Sequence, residues 1–173
     1  MKRSELQTAL RAAARVARQS EFIIIGSQAI HAHCRRPPAE VLLSQECDLY
    51  PRTNPQVAHL LDIELGPNSA FARRHGFYVD VVTPELAALP EGWEKRLTLF
   101  RVGRITAFCL DIHDLLASKL AAGRLKDLEL VGALLKLRLG KASILRRRIA
   151  NLPLPSEERK ARLRLDVVLE DLD

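Results

Sequence analysis

The chain has 173 residues, 47% hydrophobic and 28% charged, with only 8 glycines and 9 prolines, which excludes a collagen-like, low-complexity or disordered polypeptide and implies one buried core. Lysine and arginine outnumber aspartate and glutamate by 27 to 21, a net charge of +6 compatible with an anionic partner such as a nucleotide or nucleic acid. Cys34, Cys47 and Cys109 form no C-x-x-C pair, which excludes a disulfide framework and a cysteine-based zinc or redox site.

Ser4 to Gln19 places Leu6, Ala9, Leu10, Ala13, Val16 and Ala17 at spacings of three and four, the pattern of an amphipathic helix with Ser4 as its cap. Phe22-Ile23-Ile24-Ile25 is a short β-branched run closed by Gly26 and reads as a buried strand. Gly26-Ser27 then sits at a strand-to-helix turn, with Gln28 to His33 helical until Pro37-Pro38. A second strand is expected within Val41 to Tyr50, a helix from Pro55 through Leu61, and a third strand over Phe77 to Val82. Leu97 to Leu110 reads as two strands around Val102-Gly103. From Asp111 the pattern is helical, with a stop at Gly140, a helix over Ile144 to Leu152 and a last one capped by Ser156. The fold class that follows is α+β: a small mixed or antiparallel sheet flanked by helices, with a helical C-terminal half. We expect one domain over residues 1–173, its core at about 20–110 and its helical part at about 111–173. The opening residues Met-Lys-Arg-Ser-Glu-Leu-Gln-Thr contain no apolar signal core, and no apolar run approaches the roughly 20 residues that span a bilayer, so the expected location is the cytoplasm with no membrane partner.

Chemistry concentrates at Gly26-Ser27, at Ser44-Gln45-Glu46-Cys47-Asp48 and at Asp80. Alternate strand residues share a face, so Glu46 and Asp48 project together with Ser44 beside them. Two carboxylates side by side need a neutralising cation, and hard oxygen donors suit Mg²⁺ held jointly with substrate phosphates; Asp80 is the candidate third acid. A glycine between strand and helix lets backbone amides approach a phosphate, and Ser27 adds a hydroxyl. Lys119 and Lys126, four residues before and three after Gly123, are expected near one face of a helix. Each reads either as a triphosphate contact, Lys119 foremost, or as a solvated helix charge.

These residues resemble the minimal nucleotidyltransferase (DNA polymerase β-like) superfamily, with its Gly-Ser, acid-x-acid and later strand carboxylate. More narrowly, Ile24 to Ala29, Leu42 to Pro51, Leu89 to Leu97 and His113 to Asp127 resemble the DUF6036 group, which is similar to nucleotidyltransferase toxins of the AbiEii and MenT type. The resemblance runs from about Phe22 to Leu139. It implies a fold built on that superfamily's core and Mg²⁺ (or Mn²⁺) as cofactor. The implied reaction transfers a nucleotidyl group from an NTP to a hydroxyl of RNA, such as tRNA, or of protein. Glu46, Asp48 and Asp80 would be metal ligands and catalytic together with Lys119; Gly26, Ser27, Ser44, Lys119 and Lys126 would hold the nucleotide. The first acid is Glu46 where the superfamily mostly has aspartate. A toxin-like role with a cognate antitoxin or other partner protein belongs to the same implication. A catalytically silent member that keeps the fold to bind a partner or nucleotide stands beside it.

Other signals carry less. His31 and His33 lie about 200° apart on a helix and cannot chelate one ion from one face, so ordinary packing is expected for both. Trp93 reads as a packing anchor. Arg146-Arg147-Arg148, with Lys141, Arg159, Lys160, Arg162 and Arg164, forms either an RNA-facing surface or a solvated face paired with Glu157, Glu158 and Asp166.

Overall fold

The computed structural model describes residues 1–172. Helix α1 (Arg3–Ala17) buries Leu6, Ala9, Leu10, Ala13 and Ala17. It starts two residues earlier than expected: Lys2 is the cap residue and the Glu5 carboxylate accepts from its amide, so Ser4 lies inside the first turn and is no cap. Arg18 ends the helix in the left-handed region (φ 50).

Five strands follow: β1 (Glu21–Ile24), β2 (Glu46–Pro51), β3 (Tyr78–Val81), β4 (Thr98–Val102) and β5 (Ile105–Cys109). They form one mixed sheet in the order β3-β2-β1-β5-β4. β1 pairs antiparallel with β2 and parallel with β5, β2 pairs parallel with β3, and β4 with β5 forms a hairpin turned at Gly103 (φ 61). The apolar run reads correctly as the central strand, with Phe22 and Ile24 fully buried. Helix α3 (Ala58–Leu65) packs with α1 against the sheet and makes the crossover between β2 and β3.

Between β1 and β3 one expectation is corrected and two short helices are added. Ser27–Ala32 is a six-residue 3-10 turn and not an α-helix. The first part of Val41 to Tyr50 is a short helix, α2 (Ala39–Leu43), because Pro38 opens a helical turn, and β2 begins only at Glu46. A further helix, α4 (Ala70–His75), occupies the stretch after Ser69, whose hydroxyl caps it by accepting from the Ala72 amide at 3.0 Å.

The C-terminal half is helical: α5 (Ile112–Ala122), α6 (Leu125–Lys136), α7 (Ala142–Ile149) and α8 (Pro155–Glu170). Asp111 caps α5 by accepting from the His113 amide at 2.9 Å. The stretch carrying Lys119 and Lys126 is two helices, broken at Gly123 (φ 68). Arg164 of α8 donates to the carbonyls of Leu120 and Ala121 at 2.6 and 2.7 Å, and a Cβ on Gly123 would stand 2.0 Å from its guanidinium. The stop before α7 falls at Arg138 (φ 55) and not at Gly140, and α8 is capped by Leu154, with Ser156 inside it.

Asp114, fully buried, knits this half to the sheet. Its carboxylate takes Arg96 Nε at 2.8 Å and Nη2 at 3.0 Å, and stands 3.0 Å from Arg148 Nε. Arg148 therefore belongs to an ion triad centred on a buried carboxylate and not to a basic surface. Arg146 pairs with Asp166 at 2.7 Å and Arg162 with Glu158, which resolves those two toward the paired, solvated reading. His31 packs with its ring against the Met1 carbonyl and His33 bonds the Leu110 carbonyl, so neither is a ligand pair. Removing one partner of a buried charge network leaves the others uncompensated, at about 3–5 kcal/mol. Asp114→Ala is expected to lose that much stability in a urea melt, whereas Arg146→Ala, at an exposed pair, changes it by under about 1 kcal/mol.

Candidate functional site

Strand β2 alternates as its sequence requires. Cys47 and Leu49 are fully buried on the core side, while Glu46 and Asp48 are half-buried on the other. β3 lies parallel to it with Glu46 opposite Tyr78 and Asp48 opposite Asp80. Carboxylate oxygens of Glu46, Asp48 and Asp80 come within 4.8 Å of one another. The Gly26 position is sterically reserved: a Cβ there would stand 1.4 Å from Asp48 Oδ2. The Ile25 amide donates to the Asp48 carbonyl at 3.1 Å, extending the β1–β2 ladder to the turn.

Helices supply the cations. Lys119, in the last turn of α5, bonds Asp127 Oδ1 at 3.0 Å with its side chain 19% exposed. Lys126, in the first turn of α6 and 60% exposed, reaches Glu46 Oε1 at 3.4 Å. The two lysines thus meet the site from different helices and not from one face of a single helix. Ser27, Ser44, Glu46, Asp48, Lys119 and Lys126 all line a cleft of about 350 Å³ between the sheet edge and α6. Asp80 joins the acids from β3. Because Ser27 opens only a short 3-10 turn, its contribution is a hydroxyl at the cleft wall and not the dipole of a long helix.

Sequence reasoning passed over Asp127, which is 2% exposed and holds Lys119. Arg124 Nε stands 4.0 Å from its Oδ2, too far for a hydrogen bond, and that oxygen has no partner. The Lys119 to Asp127 interval of eight matches no single-helix contact; only the reversal at Gly123 brings the pair together. The legible signal was an acid in a first helical turn after a glycine.

Electrostatics mark the acid cluster as short of positive charge. Burial pushes the Asp48 carboxyl above the ordinary aspartate range, Lys119 opposes this, and Glu46 and Asp80 add to it. Asp80 is raised by burial first, then by Glu46 and Asp62. The Tyr78 phenol is raised by burial and by the same acids. A divalent ion fits this set: oxygens bound to one Mg²⁺ at about 2.1 Å stand about 3.0 Å apart when cis and about 4.2 Å when trans, so carboxylates already within 4.8 Å of one another reach one ion by side-chain adjustment alone. Hard carboxylate oxygens suit that ion, and the glycine at position 26 leaves Asp48 its room.

Raised carboxyl pKa values oppose folding as the groups ionise. The penalty is absent below the ordinary aspartate range, grows as pH climbs from that range to the raised values, and is constant above them. Asp48→Asn is therefore expected to raise the melting temperature at pH 7.5 in chelator by about 2–4 °C, with no gain at pH 3. It should also abolish the thermal shift that Mg²⁺ gives the parent chain. A parent chain that melts at the same temperature with and without Mg²⁺ would contradict the metal fit.

Among the described residues no helix is long and apolar enough to cross a membrane. No curated protein and no solved structure matches the chain. The family model described as a nucleotidyltransferase of unknown function (DUF6036) matches residues 4–163, a span that includes the Gly26-Ser27 turn, the three acids and both lysines. The chain belongs to the DUF6036 nucleotidyltransferase family.

Proposed function

We propose that the chain is a metal-dependent nucleotidyltransferase that moves an NMP from an NTP to a hydroxyl of RNA, tRNA included, or of protein. The observation that carries this reading is the convergence of Glu46, Asp48 and Asp80 beside a cleft whose other walls carry lysines and serines. In this reading residues 1–173 act as one domain in the cytoplasm. In this reading the motif resemblance to AbiEii and MenT-type toxins implies a toxin-like role held in check by a partner protein.

Glu46, Asp48 and Asp80 would hold Mg²⁺, or Mn²⁺ in its place. The bound ion supplies Lewis-acid polarisation of the α-phosphate and lowers the pKa of an attacking hydroxyl. Lys119, fixed by Asp127, lies close enough to Asp48 to counter its charge and presents its ammonium to a triphosphate from within the cleft. Lys126 exchanges its contact with Glu46 for a phosphate oxygen when the nucleotide enters. Ser27 and Ser44 offer hydroxyl donors at the cleft wall, and Gly26 keeps Asp48 against the β1 end. The protein's work is positioning and charge compensation, the main sources of rate in phosphoryl-type transfer.

Asp48→Ala is expected to abolish transfer of label from an α-labelled NTP while the circular dichroism spectrum and melting cooperativity stay intact. Lys119→Ala should raise KM for the NTP and lower kcat/KM about 10- to 100-fold, the range of one lost charge-assisted hydrogen bond. Turnover retained in Asp48→Ala contradicts the metal assignment, whereas absence of transfer by the parent chain favours the silent, partner-binding reading.

A further inference from the structure

Strands β2 and β3 border two openings. The cleft lies toward their N-terminal end, where Glu46 and Tyr78 line it. A second slot of about 230 Å³ lies toward the other end, lined by Val82 two residues beyond Asp80, by Ala88, by Ser118 and Ala122 of α5, and by Glu157 of α8. Asp48, Lys119, Arg124 and Asp127 line both, so the two openings meet at the rung that pairs Asp48 with Asp80.

Their chemistry differs. Beyond the residues the two openings share, the cleft is lined by Lys126, by two serines and by Glu40, Glu46 and Glu129. The slot has short apolar walls and Glu157, whose Oε2 is buried and accepts no hydrogen bond; Asp127, 2% exposed and with a likewise unpartnered Oδ2, stands where the two openings meet. Buried acceptors without donors are uncommon because each forfeits its bonds to water, and a ligand that brings donors recovers them. The slot is also smaller than the roughly 300–1,000 Å³ that encloses a drug-sized molecule.

In-line displacement at phosphorus places the attacking and leaving oxygens on opposite sides. With the triphosphate over the lysines of the cleft, the attacking hydroxyl arrives through the slot. We infer, building on the transferase reading above, that the slot holds the 3′-terminal ribose of an RNA and that Glu157 reads its 2′-hydroxyl. A serine, threonine or tyrosine side chain brings one hydroxyl, which is consumed as nucleophile, and leaves only the peptide backbone to donate to Glu157. A terminal ribose brings two on adjacent carbons: the 3′-oxygen attacks while the 2′-hydroxyl donates to Glu157. A 2′-hydroxyl is also the group by which proteins tell RNA from DNA. Its phosphates stay outside, where Arg124, 66% exposed at the slot mouth, and Lys160, one turn along α8 from Glu157, supply positive charge. In the step, a bond forms between the 3′-oxygen and the α-phosphorus, and the bond from that phosphorus to the bridging oxygen of the β-phosphate breaks. Pyrophosphate leaves through the cleft with the electron pair, and the hydroxyl proton passes to the Asp80 carboxylate and on to water.

The test uses the full chain with Mg²⁺, the four α-labelled NTPs and three acceptors: an RNA oligonucleotide, the same oligonucleotide with a 2′-deoxy terminal residue, and a peptide containing serine, threonine and tyrosine. The RNA is expected to be labelled, and loss of the terminal 2′-hydroxyl to lower kcat/KM about 10- to 100-fold. Glu157→Ala should bring the ribose-ended RNA down to the deoxy-ended rate and erase the difference between them, while keeping the parent's thermal shift with Mg²⁺ and NTP. Equal rates on the two ends in the parent chain, which needs no variant, overturn the inference, as does preference for the peptide or undiminished discrimination in Glu157→Ala. Absence of Asp48-dependent transfer to every acceptor overturns the transferase reading itself; Asp48-dependent transfer without discrimination at the 2′ position overturns only the assignment of the slot.

Discussion

Three carboxylates held within 4.8 Å of one another are the constraint around which the rest of the molecule is arranged. Left to themselves they separate, because like charges at that distance repel and burial removes the water that would screen them. What holds them is backbone. Parallel pairing puts Asp48 directly opposite Asp80, the two-residue repeat of β2 places Glu46 on the same face, and the ladder to β1 presses Asp48 against a residue that can only be glycine. Strand pairing thus stores an electrostatic cost of the kind that a divalent cation would relieve. This is the stability–function trade expected where a site is assembled before its ligand arrives.

The sheet and the helical half divide the labour. The sheet contributes acids; α5 and α6 contribute Lys119, Arg124, Lys126 and Asp127 around one tight turn. That turn is held from outside the site, by Gly123 in the left-handed region and by Arg164 of α8 bonding the last carbonyls of α5. The Asp114 triad then ties α5 to the segment before β4 and to α7. The position of Lys119 relative to Asp48 therefore rests on contacts made by residues that never touch the cleft.

Much of this was legible and some was not, for physical reasons. Strands β1, β3, β4 and β5 announce themselves through short β-branched or alternating runs closed by Gly26, Thr83-Pro84 and Gly103, whereas the choice between a mixed and an antiparallel sheet was left to the observed pairing. α2 and α4 escaped notice because helices of five and six residues present barely one turn of periodicity. The break at Gly123 was misread as continuous helix, since leucines recur on both sides of it and one glycine is tolerated inside a helical pattern. The basic run Arg146-Arg147-Arg148 looked uniform in sequence, yet one member is buried against Asp114 and another pairs with Asp166.

The sequence by itself determined which residues could do chemistry: the spacing of Glu46 and Asp48 puts both on one strand face whatever surrounds them, and Gly26-Ser27 after an apolar run marks a turn at a strand end. Period-two geometry is local, so it survives any tertiary arrangement. Only the tertiary structure decided that Asp80 lies on the same rung as Asp48, that Lys119 is gripped by Asp127 across a chain reversal, and that Glu157, remote in sequence, lines a second opening at the same acids. Those relations depend on which strands are neighbours and where helices turn back. Both are set by burial of a shared core that no local pattern encodes.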